Sequence, residues 1–366
     1  PSNPRDVGNR TSTVLNPVIF GIKFLFYITL LGFRKIIYYL EMARYSEKVK
    51  LKRSNLEVTR LSLGTAPLGG LFKAVTDSDG DAMVNKALEL GINYFDTAPQ
   101  YGHGVAETRV GRVLRNAKTP FIIQTKVGRV LEKVEQAELF PWFPDAPRDV
   151  QPRFDYTADG IKRSFNESLE RMGLDRLDIV LMHDAEDHVK EAIEVAFPVL
   201  ADFRSQGLIK AVGIGINFAD KALEIMKGTD LDIALIAGRY TLLDQISHRE
   251  LFPYVLKNNI DITMGGVLNS GVLANPTAGA TYNYLPASDE IIARAKRICD
   301  FLKERNVPLL AAALQFPLRH PAVTSVLTGP RNVSELEENI AAFNSQLPAD
   351  IWEELEDANL IERIPG

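Results

Sequence analysis

From Val58 onward, short apolar runs alternate with longer stretches in which apolar residues recur every three or four positions. The short runs are typical of buried strands, and the longer spacing is typical of amphipathic helices. The pattern predicts strands at 58–63, 92–95, 121–126, 177–182, 210–214, 232–237, 261–265 and 322–327. It predicts helices at 80–90, 106–115, 158–172, 190–206, 218–227, 247–258, 288–305 and 333–344. This alternation indicates a parallel α/β architecture.

Eight strands, each followed by a helix, are the number that a closed (β/α)8 TIM barrel requires. A doubly wound sheet would normally carry a Gly-x-Gly-x-x-Gly turn after an early strand. The nearest match, Gly213-Ile-Gly215, is followed by Asn217 and Phe218 and lacks the third glycine. The sequence therefore favours a single-domain barrel over a dinucleotide-binding doubly wound fold.

Two connections between predicted elements are unusually long. Residues 129–155 are rich in Pro, Phe and Trp, and residues 266–286 are rich in Gly, Asn, Ala and Pro. Loops of this length in a compact domain are often lids or binding loops. We expect substrate specificity to lie in these two segments.

The first forty residues differ in composition from the rest of the chain. Residues 14–40 are mostly apolar and aromatic, and they reach the roughly 20 residues of a membrane span only if Pro17 and Lys23 are included. Three interpretations remain open: a membrane anchor or surface helix, a signal peptide that lacks a small-residue cleavage site, or translated sequence upstream of a start at Met42. We divide the chain into a hydrophobic extension, 1–41, and a barrel, 42–366.

Composition and charge narrow the classes of partner. The net charge of −5 and the pI near 5.7 argue against nucleic acid as the main partner. The single cysteine, Cys299, excludes an internal disulfide framework, suits a reducing compartment and leaves no thiolate zinc site. We therefore expect a cytoplasmic protein that binds a small molecule, with membrane association through residues 14–40 only if residues 1–41 belong to the protein.

Four chemically reactive side chains fall at or just after predicted strand ends. Asp96 and Tyr101 follow the second strand, Lys126 ends the third, and His183 follows the fourth. The carboxyl ends of barrel strands form the face on which active sites are built. A phenol beside a cation and an imidazole is a usable acid or base near neutral pH. The four residues together predict a catalytic site.

Each of these residues also has an ordinary structural explanation. Asp96 could cap a turn, Tyr101 could be a loop tyrosine, and Lys126 could be a solvated residue of the barrel rim. His183, with the acidic residues at 184, 186 and 187, could bind a metal, but we favour a site without metal in which the acids are loop charges. Three further residues are candidates for the substrate pocket. Trp142 lies in the first long loop, His103 lies two residues after Tyr101, and Asp184 follows His183.

Over residues 52–345 the chain resembles the aldo-keto reductases. The motifs that carry the resemblance are Phe95-Asp96-Thr97-Ala98 with Tyr101-Gly102, Thr125-Lys126, and Asp178-Ile179 through His183. Within that superfamily it is most similar to the aldose 1-dehydrogenase branch, which includes D-threo-aldose, L-fucose and L-galactose dehydrogenases. That narrower likeness rests on Thr65 to Gly70, Lys126-Val-Gly-Arg129, Phe154-Asp-Tyr156, Arg163-Ser164, Ser168 to Arg171 and His183-Asp184.

The resemblance implies a role for each catalytic candidate. Tyr101 would exchange a proton with the reacting oxygen, and Lys126, held by Asp96, would lower the pKa of that phenol. His183 would orient the reacting oxygen and help to relay the proton.

The resemblance also implies a nicotinamide cofactor. Asn217 would meet the carboxamide of the nicotinamide, and Tyr240 would stack on its ring, although Ala237 stands where the family usually has glutamine. The adenosine-phosphate end would lie at Gly329, Arg331, Glu335 and Asn339. A guanidinium at Arg331 suits a 2′-phosphate and favours NADP, whereas Glu335 or Glu338 could bind ribose hydroxyls and favour NAD.

The function implied is NAD(P)-dependent oxidation of an aldose at C1 to the lactone. The alternatives within enzymes are NADPH-dependent reduction of an aldehyde or ketone, and oxidation of pyridoxal. An alternative of another class is a membrane-associated regulatory subunit that senses the cofactor, for which the hydrophobic N-terminus is the only support.

Overall fold

A computed structural model describes residues 45–364, and within this range the chain forms a closed barrel of eight parallel strands. The barrel strands, in spatial order, are β3 (Leu61–Gly64), β4 (Tyr94–Asp96), β5 (Ile122–Val127), β8 (Ile179–His183), β9 (Ala211–Ile216), β10 (Ile233–Ala237), β11 (Asp261–Gly265) and β14 (Val323–Thr328). The last strand pairs with the first, Val326 opposite Leu61, and this pairing closes the cylinder. The predicted barrel is confirmed.

Helices surround the barrel and cover its outer face. They are α1 (Asp77–Glu89), α2 (Val105–Leu114), α3 (Ala158–Met172), α4 (Val189–Glu191), α5 (Phe197–Ser205), α6 (Ala219–Lys227), α7 (Leu251–Lys257), α8 (Asp289–Lys303), α9 (Leu309–Gln315), α10 (Val333–Phe343) and α11 (Ile351–Asp357). A π-helical segment, Ala192–Ala196, joins α4 to α5. Their apolar faces and the outward side chains of the strands form one large buried core.

A short antiparallel hairpin closes the N-terminal end of the barrel. Its strands are β1 (Lys48–Lys50) and β2 (Glu57–Thr59). The hairpin buries Leu51 and Val58 against apolar side chains of the barrel interior, among them Tyr94, Ile179 and Ile233. Because this end is sealed by apolar packing, access to the interior is from the carboxyl ends of the strands.

The two long connections each contain a hairpin. The first pairs β6 (Arg129–Lys133) with β7 (Val150–Phe154), and the second pairs β12 (Thr281–Tyr282) with β13 (Leu285–Pro286). Both follow barrel strands at the carboxyl face, so they stand above the predicted site.

The predicted hydrophobic extension, residues 1–41, lies outside the described residues. The membrane-related interpretations that depend on this segment stay predictions. Between residues 45 and 364, none of the helices combines the length and the apolar character that crossing a membrane would require.

Candidate active site

Tyr101 lies at the carboxyl face of the barrel, five residues after β4 ends at Asp96. Its backbone is fixed by contact between two glycines: a Cβ at Gly69 would lie 2.5 Å from the carbonyl carbon of Tyr101, and one at Gly102 would lie 2.3 Å from the oxygen of Gly69. Gly102 also has φ +61°, a conformation that glycine adopts without steric cost. These close approaches explain why Gly69 and Gly102 flank the site, and they set the height of the phenol above the barrel.

Lys126 links Tyr101 to Asp96. Its ammonium nitrogen donates to both carboxylate oxygens of Asp96, at 2.8 and 2.9 Å, to the carbonyl of Thr97 at 2.8 Å, and to the hydroxyl oxygen of Tyr101 at 3.0 Å. Asp96 and Lys126 are each 1% exposed, so each charge needs the other as a partner. The hydroxyl of Tyr101 accepts from Lys126, and no acceptor for its own proton is found among residues 45–364. That proton is therefore free to meet a substrate.

The Asp96–Lys126 pair is supported from inside the barrel by two residues that sequence analysis did not identify. Gln124 donates to Asp96 Oδ1 at 2.7 Å, and Tyr94 donates to Gln124 Oε1 at 2.6 Å. Each lies two positions before a predicted catalytic residue on the same strand, and residues two apart on a strand point to the same side. That spacing was the signal in the sequence that could have found them.

A glycine on β9 leaves room for the lysine. A Cβ at Gly215 would lie 3.2 Å from Cε of Lys126 and 3.4 Å from a methyl group of Leu181. Gly215 belongs to the Gly-x-Gly sequence that lacks a third glycine, and here it serves a close packing contact inside the barrel. The lysine side chain reaches Tyr101 along this space.

His183 ends β8 and presents its ring to Tyr101. The two ring centroids are 5.9 Å apart and nearly perpendicular. Tyr156 donates its hydroxyl to the backbone carbonyl of His183 at 2.6 Å, and its ring packs against Gly128. Tyr156 thereby fixes the strand end that carries the imidazole. In the sequence this residue is notable only as part of the motif Phe154-Asp-Tyr156.

The electrostatics of the site keep both Tyr101 and His183 uncharged. Burial raises the pKa of Tyr101 well above 10, and the negative charges of Asp96 and Asp184 add to the rise. Burial lowers the pKa of His183 well below 6.5, and the positive charges of Lys126 and Arg129 lower it further. The net direction for the Tyr101 pKa is upward because burial dominates, and the lowering of this pKa by Lys126 stays a prediction. In this state the phenol is suited to donate a proton.

Asp184 joins three neighbouring strand ends. It accepts from Arg129 at 3.2 Å and from the amide of Asn217 at 3.1 Å, and its Oδ2 lies 3.5 Å from Nε2 of His183. Burial raises its pKa to about 6, against the opposing effect of Arg129. The predicted pocket residue Asp184 and the predicted cofactor residue Asn217 are therefore neighbours of the catalytic group, and the Asn217 amide is oriented by this carboxylate.

Trp142 and His103 have different contacts in and around the loop 134–149. Trp142 stacks on Phe140 with ring centroids 5.3 Å apart, and the adjacent Phe143 lies 6.3 Å from the ring of Tyr101. The imidazole of His103 points to the same loop, with Nδ1 2.7 Å from the carbonyl of Val150, and it is 3% exposed. The position of Trp142 fits a pocket wall, whereas His103 anchors the base of the loop.

The predicted adenosine-phosphate region lies after β14. Gly329 packs on Pro67, where a Cβ would lie 2.9 Å from the proline ring. Arg331 is paired with Glu335 in the first turn of α10: Nε donates at 2.9 Å, and the Arg331 backbone N–H donates to the same carboxylate at 2.9 Å. Asn339 is buried one turn further along the helix. The carboxylate of Glu335 thus accepts from both the guanidinium and the backbone N–H of Arg331. These are the two donors that an anionic ligand would use.

The expectation for Tyr240 needs correction. Its side chain is fully buried, 4.9 Å from the rings of both Phe252 and Phe316 in the core outside the barrel. Gly238, at φ +70°, lies between the end of β10 and this tyrosine. A ring with no exposed surface cannot stack on a nicotinamide, so Tyr240 is a packing residue.

The described residues contain no group of three or more His, Cys, Asp or Glu side chains placed to hold a metal ion. The side chains that meet at the site are a phenol, an ammonium–carboxylate pair and a neutral imidazole. Together they can exchange a proton with an oxygen atom and hold that oxygen in place.

Comparison with known proteins gives a consistent result. The sequence model of the Aldo/keto reductase family matches residues 60–360. Pyridoxal 4-dehydrogenase from Microbacterium luteolum is 39% identical over 336 residues, covering 86% of this chain and 98% of that protein. D-threo-aldose 1-dehydrogenase from a Pseudomonas species is 37% identical over 316 residues, covering 84% and 96%. The solved structure of a glycerol dehydrogenase from Gluconobacter oxydans matches with a TM-score of 0.68 at 20% identity, over 88% of this chain and 98% of that one. At this identity the match shows a shared fold only.

Proposed function

The chain belongs to the aldo/keto reductase family, and from this premise we propose that it is a nicotinamide-dependent dehydrogenase that oxidises an aldose at C1 to the lactone. It is an oxidoreductase, and members of its family act on small carbonyl compounds with NAD(P)H. The observation that carries the proposal is the hydrogen bond from Lys126 to Tyr101, with Asp96 holding the lysine and His183 facing the phenol.

A bound nicotinamide would supply the hydride acceptor, and the protein would supply position and proton transfer. Tyr101 would take the proton of the C1 hydroxyl group during oxidation. To do so the phenol must first release its own proton to solvent, and the ammonium group of Lys126, 3.0 Å away, would stabilise the resulting phenolate. His183, held neutral, would donate a hydrogen bond to the same substrate oxygen. In the opposite direction the protonated phenol would donate to a carbonyl oxygen.

Residues on two sides of the barrel fit the cofactor. The amide of Asn217, oriented by Asp184, suits the nicotinamide carboxamide, and the turn after β14 with Gly329, Glu335 and Asn339 suits the adenosine end. The sequence favours NADP because a guanidinium at Arg331 suits a 2′-phosphate. Since Glu335 neutralises that guanidinium, a 2′-phosphate would meet a carboxylate there, and we propose NAD instead, with Glu335 facing the ribose hydroxyls.

Oxidation of pyridoxal is the second candidate. It is favoured by the 39% identity to a pyridoxal 4-dehydrogenase and by the aromatic side chains Trp142 and Phe143 beside the site. Pyridoxal forms a cyclic hemiacetal, so the same four residues would oxidise it to a lactone. A regulatory role at a membrane would rest on residues 1–41, which lie outside the described range.

The test is the absorbance of reduced nicotinamide with the purified full-length chain. NAD or NADP would be offered with L-fucose, D-arabinose, L-galactose and pyridoxal, and Tyr101→Phe would serve as the blank. We expect one of these substrates to reduce NAD in a manner that depends on Tyr101. Inactivity with all four, while NADPH is consumed by simple aldehydes, would contradict the proposal and make the protein a carbonyl reductase.

A further inference from the structure

The hairpin β12–β13 carries an aromatic residue in an unfavourable backbone conformation. Asn283 and Tyr284 form its two-residue turn, with φ +49° and φ +66°. Such turns require positive φ at both positions, and the second is usually glycine. A bulky aromatic residue there is an outlier that the surrounding structure must hold in place, and outliers of this kind cluster at functional sites.

Several side chains hold the hairpin in this position. The backbone N–H of Tyr284 donates to the hydroxyl of Ser270 at 3.0 Å. Arg239 donates to the side-chain oxygen of Asn283 at 3.3 Å, and its Nε donates to the backbone carbonyl of Asn217 at 2.6 Å. The turn is thereby tied to the strand end that bears Asn217, and its geometry relative to the site is fixed.

The ring of Tyr284 meets the other long loop. Its centroid lies 5.6 Å from that of Trp142 and 6.3 Å from that of Phe72, and the backbone N–H of Phe72 donates to the carbonyl of Trp142 at 2.8 Å. Phe140 also stacks on Trp142, with ring centroids 5.3 Å apart. Segments that follow three different barrel strands therefore form one aromatic surface at the mouth of the site.

Tyr284 is connected to the catalytic group through the aromatic residues of the other loop. Its partner Trp142 is followed by Phe143, whose ring centroid lies 6.3 Å from that of Tyr101. Burial raises the pKa of the Tyr284 phenol, the negative charge of Asp184 raises it further, and Lys126 lowers it. The residue as a whole is still 40% exposed, so part of it remains open to solvent and can be covered by a ligand.

We propose that Tyr284 contacts the substrate and determines its class, with its ring and that of Trp142 covering the flat face of a cyclic substrate. This inference rests on the proposed function, since it concerns the substrate of the same site. Aromatic rings pack favourably on flat apolar surfaces, such as the C–H face of a sugar or a heteroaromatic ring. A small acyclic aldehyde has no such face, so it gains little from this contact.

The test compares Tyr284→Gly, Tyr284→Phe and a matched control, Leu285→Ala, in the full-length protein. Leu285 is the neighbouring hairpin residue and is 59% exposed. Glycine suits the turn, so Tyr284→Gly should melt at or above the wild-type temperature and remain folded. We expect it to raise KM for the cyclic substrate at least tenfold, while kcat/KM for methylglyoxal and the calorimetric Kd for NADH stay within twofold. Tyr284→Phe should retain most of the cyclic-substrate affinity, and Leu285→Ala all of it.

Each alternative result has a distinct meaning. A wild-type KM for the cyclic substrate in Tyr284→Gly would overturn the inference and leave the proposed function intact. Equal losses with cyclic and acyclic substrates, or weaker NADH binding, would also overturn it, because the hairpin would then act on the cofactor or on the whole site. A wild-type protein that oxidises no cyclic substrate would overturn both proposals.

Discussion

Lys126 donates a 3.0 Å hydrogen bond to the hydroxyl of Tyr101 while the same ammonium group is paired with Asp96 in a site where both charges are buried. The lysine therefore has two functions that substitutions can separate. It balances a buried carboxylate, which concerns stability, and under the proposed function it would stabilise a phenolate, which concerns turnover.

The first prediction separates these two functions. Lys126→Met should lower kcat by at least about 100-fold, because the phenolate loses its cation, and should lower the free energy of unfolding by about 3–5 kcal/mol, because Asp96 is left buried and unpaired. Adding Asp96→Asn should recover much of the stability but none of the activity. Steady-state kinetics and urea unfolding measure the two effects, and recovery of activity in the double variant would contradict the assignment.

The second prediction concerns the pH dependence of stability. The pKa of Asp184 is raised from 3.8 to about 6 in the folded protein, chiefly by burial. A raised pKa contributes stability that is complete below about pH 4 and is lost as pH rises through about 6. Relative to Asp184→Asn, the wild type should lose up to about 3 kcal/mol of unfolding free energy between pH 4 and pH 8.

Asparagine is the matched replacement at 184, because Asp184 has φ +47° and Asn tolerates that conformation. Urea unfolding of both proteins at several pH values gives the difference directly. Parallel stability profiles would show that the carboxylate ionises normally in the folded protein.

The third prediction uses two adjacent glycines. Gly69→Ala would place a Cβ 2.5 Å from the backbone of Tyr101, whereas a Cβ at Gly70 meets nothing within 4 Å. Gly70 has φ +87°, so Gly70→Ala should cost about 1–2 kcal/mol of stability but leave kcat unchanged. Gly69→Ala should lower kcat about 100-fold, because it displaces the phenol. Equal kcat values for the two variants would show that the glycine contact does not position Tyr101.

The fourth prediction concerns the choice of cofactor. Glu335→Gln removes the charge that occupies Arg331, so NADPH should bind about tenfold more tightly and NADH more weakly than in the wild type. Calorimetric titration measures both constants without turnover. Glu338→Gln is the control, since Glu338 is exposed on the same helix. A change of preference in the Glu338 variant alone would move the ribose contact to that residue.

The barrel could be predicted because its signals are local. The apolar run 261–265 is a strand and the amphipathic stretch 158–172 is a helix, each with the predicted bounds. The run 58–63 was predicted as one strand but divides at Arg60, since its first part pairs with β1 and only its second part with β14. That division depends on which strand each half pairs with, which periodicity does not encode.

The site could be predicted only where a strand end fixes the direction of the side chain. Asp96 and His183 end their strands and Lys126 lies one residue before the end of its strand, so their common face follows from topology. Tyr240 lies three residues past its strand, beyond the left-handed Gly238, and there it packs in the core. The contact of Trp142 with Tyr284 joins two loops distant in sequence, and no local pattern signals it.

The position of Trp142 also gives the protein an internal optical reporter. The chain has two tryptophans, and the other, Trp352, is buried beside Phe316 and Arg319. Trp142 contacts both Phe140 and Tyr284 at the mouth of the site. A Trp352→Phe protein would carry a single fluorophore there, whose emission overlaps the absorption band of reduced nicotinamide. Occupancy of the site could then be followed in real time through energy transfer, with no label attached.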